Sequence, residues 1–159
     1  MSIQQLLANP LINTLGNLDW GRTISPFNEM IIKEKYHDQQ VEYVKPTEPG
    51  YDLLINGMRI QCKLRQVNGV NPFSKSVYLS TTRRHSIKNF HKNVNGQVCY
   101  SNDEFDFVFV TLVWGGNRKI KDWYASLIPV SELEDKKGNL KTSISSKLLK
   151  QYELKDFFN

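Results

Sequence analysis

Tyr51 to Gln66, YDLLINGMRIQCKLRQ, constrains the fold of this chain more than any other stretch. At its centre stands Asn56-Gly57. A type I′ hairpin turn needs positive φ at both central residues, which Asn and Gly tolerate far better than other residue types. Closing that turn pairs Ile55 with Met58, Leu54 with Arg59, Leu53 with Ile60 and Asp52 with Gln61. One face then carries Leu53, Ile55, Met58, Ile60, Cys62 and Leu64, an apolar set that reads as core. The other carries Asp52, Arg59, Gln61, Lys63 and Arg65. A slip of one residue would exchange the two faces and bury the charges, so the alternation sets the register. Directly opposed residues share a face with Cβ atoms about 4.5–5.5 Å apart, and Asp52, Gln61 and Lys63 therefore converge. The solvated side of any half-buried strand pair shows the same alternation, so the hairpin alone leaves a structural and a chemical reading open.

Regular elements are expected on both sides of it. Ser25 suits an N-cap and Pro26 a first helical position, which predicts a helix from about Pro26 to His37 carrying Glu29. Val41 to Val44 reads as a strand. Downstream, Ser76 to Thr81 alternates like a strand, and Thr82 to His91 has the apolar spacing of a helix with Ile87 and Phe90 inward. Asp106 to Trp114, DFVFVTLVW, is the most strand-like run, ending at the turn signal Gly115-Gly116-Asn117. Trp123 to Pro129 is a further strand, Val130 to Leu133 a short helical turn, and Ser146 to Phe157 a helix or turn. Gln66 to Lys75 stands out as a loop leaving the hairpin just after Lys63, and loops anchored beside chemistry often carry recognition.

An acid before a short hairpin, then an acid or amide, one residue and a lysine resembles the PD-(D/E)XK nuclease superfamily. Asp52 matches the first acid, Gln61 the second ligand position and Lys63 the lysine. Pro49-Gly50-Tyr51 precedes Asp52 in place of the motif's proline. Gln61 departs from the usual Asp or Glu and removes one negative charge, a variation found in some restriction and intron-homing members. Glu29 resembles the first-helix glutamate that many members direct at the same site; a favourable charge near a helix N-terminus is the alternative. The resemblance implies an α/β domain, with a central mixed β-sheet flanked by helices in a restriction-endonuclease-like core. It further implies that Asp52, Gln61 and the Cys62 backbone carbonyl hold Mg²⁺, with Mn²⁺ as a substitute, that Glu29 binds a second ion or orients water, and that Lys63 positions the attacking water or helps deprotonate it. The activity implied is DNA phosphodiester hydrolysis, with homing or restriction-type cleavage favoured. A junction resolvase and a catalytically weakened nucleic-acid-binding module of the same fold are the alternatives.

The 159 residues fit a single domain, with no repeats or long linkers between parts. No apolar run reaches the ~18 residues of a membrane span, and the N-terminal MSIQQLLANPLINTLG lacks the pattern of a secretory signal; it reads as a short helix or arm. Cys62 and Cys99 form no metal spacing and no disulfide framework, which points to a reducing compartment such as the cytoplasm.

Charge is distributed unevenly. Between Leu53 and Asn102 there are eight basic residues and no acid, whereas the flanking segments together lean acidic or balance, so the net charge of +5 is central. Such a stretch suits a polyanion held through its phosphates, and a solvated basic face is the plainer reading. The candidate contacts are Arg59, Arg65, Lys75, Arg83, Arg84, His85, Lys88 and Lys92. His85 and His91 do not share a helical face, which argues against a histidine mechanism. One site of this kind cuts one strand, so cleavage of duplex or junction DNA is expected from a homodimer or homotetramer.

Overall fold

The computed structural model describes residues 25–43, 50–79, 91–92, 98–116 and 119–158. Their order is α1 (Ser25–Lys35), β1 (Val41–Tyr43), β2 (Leu53–Ile55), β3 (Met58–Val67), β4 (Val77–Tyr78), β5 (His91–Lys92), β6 (Val98–Cys99), β7 (Phe107–Gly116), β8 (Lys119–Pro129), a 3₁₀ turn (Val130–Leu133), β9 (Ser143–Ile144) and α2 (Ser146–Gln151). Five strands form a mixed sheet in the order β1-β2-β3-β7-β8, and β4 with β9 and β5 with β6 make two small antiparallel pairs. The chain is thus an α/β protein with a mixed central sheet and few helices. No helix among the described residues is long and apolar enough to cross a membrane.

The hairpin forms in the expected register: Leu53 opposes Ile60, Leu54 opposes Arg59 and Ile55 opposes Met58. Asn56 and Gly57 take φ of 51° and 77°, the positive values the turn demands. Asn56 also ties the turn to the residues before β1, donating its amide N–H to the Gln40 carbonyl and accepting the Gln40 N–H on its side chain.

β3 pairs in parallel with β7, from Ile60 opposite Phe107 to Val67 opposite Trp114. This pairing makes β3 a central strand covered on both faces, as parallel strands usually are. Ile31, Ile32, Leu53, Ile60, Cys62, Phe109 and Val113 pack on one side. Val67, Tyr100, Phe105, Val108, Val110, Leu112, Ile128 and Leu149 pack on the other. Gln61 and Lys63, expected on a solvated face, are therefore only 5% and 9% exposed. Met58, expected in the core, is 41% exposed, because β7 begins opposite Ile60 and offers Met58 no neighbour.

Other boundaries shift for similar reasons. The helix ends at Lys35 rather than His37, in a turn where the His37 amide bonds the Glu34 carbonyl. Gln66 and Val67 belong to β3 because β7 continues beside them, so the loop begins after Val67. Among the described residues of the strand expected from Ser76 to Thr81, only Val77–Tyr78 is regular, paired with the two residues of β9. His91 lies in β5, paired with β6, not at the end of a helix. The remainder of that expected helix, with Arg83, Arg84, His85 and Lys88, and the expected N-terminal arm lie outside the described residues.

The free edge of β8 is covered by the chain that follows α2. The Leu127 amide donates to the Tyr152 carbonyl, the Leu154 amide to the Ala125 carbonyl, and Ser126 bridges to Glu153. That strap blunts an edge otherwise open to pairing with other chains. α2 itself sets Leu149 against one face of the sheet, and the strap carries Phe157 and Phe158 to the other.

At the opposite corner, Asp106 fixes where β7 enters beside β3. Its carboxylate accepts the Arg59 backbone N–H at 2.7 Å and the guanidinium Nε and Nη2 at 3.2 and 2.9 Å, and the Asp106 amide donates to the Arg59 carbonyl. The guanidinium holds the Asp106 carboxyl below its ordinary range. Asp106→Ala removes this bidentate pair and leaves the Arg59 amide without its acceptor. The pair is partly open to solvent, so the loss should be about 1–2 kcal/mol, read as a lower urea midpoint. An unchanged midpoint would show that strand pairing alone sets the parallel register.

Candidate functional site

Asp52 is the last residue before β2, and two backbone features hold it there. Its amide donates to the Ile60 carbonyl at 2.9 Å, at the end of the hairpin where Leu53 opposes Ile60. Two residues earlier, Gly50 takes a φ of +86°, and a Cβ built on it would meet Glu104 Cβ at 2.4 Å. Only glycine combines that conformation with that approach. Gly50 and Tyr51 thus deliver Asp52 against the loop that leads into β7.

The Asp52 carboxylate meets the residues expected to join it. Its Oδ2 accepts the Cys62 backbone N–H at 2.7 Å and the Gln61 Nε2 at 2.6 Å. Nε2 also donates to the Cys62 carbonyl at 3.1 Å. The orientation of this amide follows from its neighbours: a carboxylate and a carbonyl oxygen only accept, so the NH₂ must face them. A half-turn of the amide would instead bring Oε1 to the same point. Asp52, Gln61 Oε1 and the Cys62 carbonyl would then offer three oxygens of the kind Mg²⁺ takes. The donor set fits a hard divalent cation on those terms. Among the described residues no three His, Cys, Asp or Glu side chains cluster to hold an ion, so such a site would rest on two carboxylates and neutral oxygens.

Glu29 is brought toward this point by the seating of α1. Asn28, Ile31 and Ile32 share the buried stripe at i, i+3 and i+4, and Asn28 Oδ1 accepts the Thr111 hydroxyl of β7 at 2.6 Å. That bond fixes the rotation of the helix. Glu29 is then half-buried and feels Asp52: desolvation first, and the Asp52 charge second, raise its pKa to about 7. Cys62 is a packed thiol on the α1 side of the sheet. Burial, and then the charges of Asp52 and Glu29, push its pKa well above the usual thiol value, which makes it a poor nucleophile.

Lys63 projects from the sheet face opposite Cys62, beside Val110. Its Nζ donates to the Tyr100 hydroxyl at 3.2 Å and lies 5.0 Å from the centroid of that ring. The structure thus brings Gln61 to Asp52 and couples Glu29 to Asp52 from α1, while the Lys63 ammonium, expected beside them, is held by Tyr100. Of the proposed phosphate contacts, Arg65 and Lys75 are exposed, and Lys92 is in β5. Arg59 is committed to Asp106 and to the Asp103 carbonyl. No local pattern around Tyr100 marks it, because the side chain it meets, Lys63, is 37 residues away.

No family model, curated protein or solved structure matches the chain.

The raised pKa of Glu29 carries a sign that can be tested. Above about pH 4.5 the unfolded chain releases this proton, whereas the folded protein keeps it until about pH 7. The contribution of Glu29 to stability is therefore fully present below that window and is lost as pH rises through it. Glu29→Gln has no proton to lose. The stability of wild type relative to this variant, from urea midpoints, should decline between pH 4.5 and 7.5 and then level. A flat difference would mark Glu29 as an ordinary solvated acid.

Proposed function

We propose that this chain is a metal-dependent endonuclease that hydrolyses DNA phosphodiester bonds, with a core of the restriction-endonuclease kind. The observation that carries the reading is the convergence of the Asp52 carboxylate, the Gln61 amide and the Cys62 carbonyl on one point, with Lys63 next along the strand. Their order along the hairpin is the order the motif requires. When bound there, Mg²⁺ supplies polarisation of the phosphate and a more acidic water.

The protein's own groups divide the remaining work. Asp52 and Gln61 would hold the ion. Glu29, with a pKa of about 7, can orient a water and take up a proton near neutral pH. Lys63 carries a compact positive charge toward the scissile phosphate and stabilises the charge that develops on it. Cys62 contributes only its backbone, since its thiol is buried in the core against α1.

DNA as the substrate is supported by the run from Leu53 to Asn102, which holds eight basic residues and no acid. Phosphate contacts of this type position a polyanion without specifying sequence. The loop after Val67 is tied to the sheet by the Trp114 Nε1 bond to the Gly69 carbonyl and by Phe73 packed edge-on to Tyr124, and we assign it recognition. Site-specific homing or restriction cleavage and four-way-junction resolution share this chemistry and differ in the DNA they accept. Cutting both strands calls for a homodimer or homotetramer. A cytoplasmic location completes the proposal. One observation favours a second reading, a DNA-binding module with weakened catalysis: Gln61 is neutral, and its amino group already satisfies Asp52.

Asp52→Asn retains an oxygen for the Cys62 N–H and removes the charge. It should leave the circular dichroism spectrum unchanged and lower Mg²⁺-dependent nicking of supercoiled plasmid by ~10²-fold or more. Full activity in this variant, or wild-type activity in excess chelator, would remove the assignment. Salt-sensitive DNA affinity without any cleavage in the wild type would select the binding module.

A further inference from the structure

Lys63 is the most exceptional charged side chain among the described residues. It has a flexible four-carbon stem, its ammonium is strongly hydrated in water, and yet it is 9% exposed on a central strand. A charge in that setting needs a partner. The partner is Tyr100, whose hydroxyl accepts from Nζ at 3.2 Å and whose ring lies within cation–π range at 5.0 Å.

Tyr100 is itself firmly held. It is 9% exposed and packs edge-on against Phe105, with centroids 5.6 Å apart and planes at 83°. Phe105 is fully buried under the sheet. The turn between them is closed by the Ser101 amide on the Glu104 carboxylate at 2.7 Å and by the Glu104 amide on the Ser101 carbonyl. Glu104 in turn is the side chain against which Gly50 packs. One rigid turn therefore supports both ends of the site: through Gly50 it backs the approach to Asp52, and through Tyr100 it holds the end of Lys63.

We infer that Tyr100 is the positioning residue for the Lys63 ammonium, fixing where that charge meets the phosphate. The inference rests on the endonuclease reading and adds to it a residue outside the motif. Unanchored, a lysine stem samples many rotamers, and a charge misplaced by an ångström loses much of its effect on a transition state. The hydroxyl restricts the stem and leaves the other two ammonium protons available for a phosphate oxygen.

Tyr100→Phe keeps the ring, its contact with Phe105 and its cation–π face, and removes only the oxygen. Single-turnover cleavage of plasmid at saturating enzyme should fall roughly tenfold, the size of one charge-assisted hydrogen bond. DNA affinity measured in Ca²⁺ should stay within about twofold, as for a group acting on the transition state and not on binding. A second readout needs no activity: the rate of reductive methylation of Lys63 in the native protein, followed by peptide mass spectrometry. Loss of the anchor should raise that rate several-fold in Tyr100→Phe, with the urea midpoint showing that the fold is intact.

Unchanged cleavage in Tyr100→Phe would overturn the inference, and so would a loss of DNA affinity equal to the loss of rate. If the wild type does not cleave DNA, the endonuclease reading fails by itself. The methylation rates then decide the anchor: equal rates in the two proteins overturn it, and a faster rate in the variant upholds the Lys63–Tyr100 contact.

Discussion

The parallel pairing of β3 with β7 is the constraint on which the rest of this structure depends. It joins two local antiparallel units, the β2–β3 hairpin and the β7–β8 hairpin, into one sheet. It also places β3 between neighbours on both sides and cores on both faces. A polar residue on such a strand must find a partner or carry a large penalty. Gln61 finds the Asp52 carboxylate and the Cys62 carbonyl, and Lys63 finds Tyr100. The candidate site is what these partnerships look like when they fall next to one another on a strand.

Electrostatics near the hairpin follow from the same burial. Asp52 spreads its charge over a backbone N–H and a side-chain amide. Glu29 has its helix seated by Asn28 and Thr111 but is half removed from water beside Asp52, and it resists ionisation until near neutrality. A second carboxylate that keeps its proton to about pH 7 beside one already satisfied can exchange a proton near neutrality. A cation placed between them would reverse the balance by stabilising both charges, which links metal binding to proton release at Glu29.

Local patterns in the sequence reached most of the sheet. The Asn56-Gly57 turn and the alternation around it specify the hairpin register, because turn chemistry and side-chain period agree over adjacent residues. The run DFVFVTLVW declares itself as a strand by composition alone. Long-range consequences were not legible in the same way. That β3 has a parallel partner is written in no local pattern, so alternation alone puts Gln61 and Lys63 on a solvated face and Met58 in the core. Arg59 looked like one more basic contact, since its acid, Asp106, is 47 residues away. Tyr100, 37 residues from Lys63, carried no signal of its role. Short strands such as Val77–Tyr78 pair with a distant partner, which single-segment periodicity cannot supply.

The central claim is that the Gln61 amide occupies the position of a cation between Asp52 and the Cys62 carbonyl, and yields it by turning its oxygen inward. Calorimetric titration of Mg²⁺ into wild type and Gln61→Glu tests it most directly. A carboxylate in place of the amide adds a charged oxygen ligand at that point, so affinity should tighten by roughly tenfold, with the wild type binding a single ion more weakly. Equal affinities, or no Mg²⁺ binding in either protein, would contradict the account and leave Gln61 as a buried amide whose only task is to satisfy Asp52.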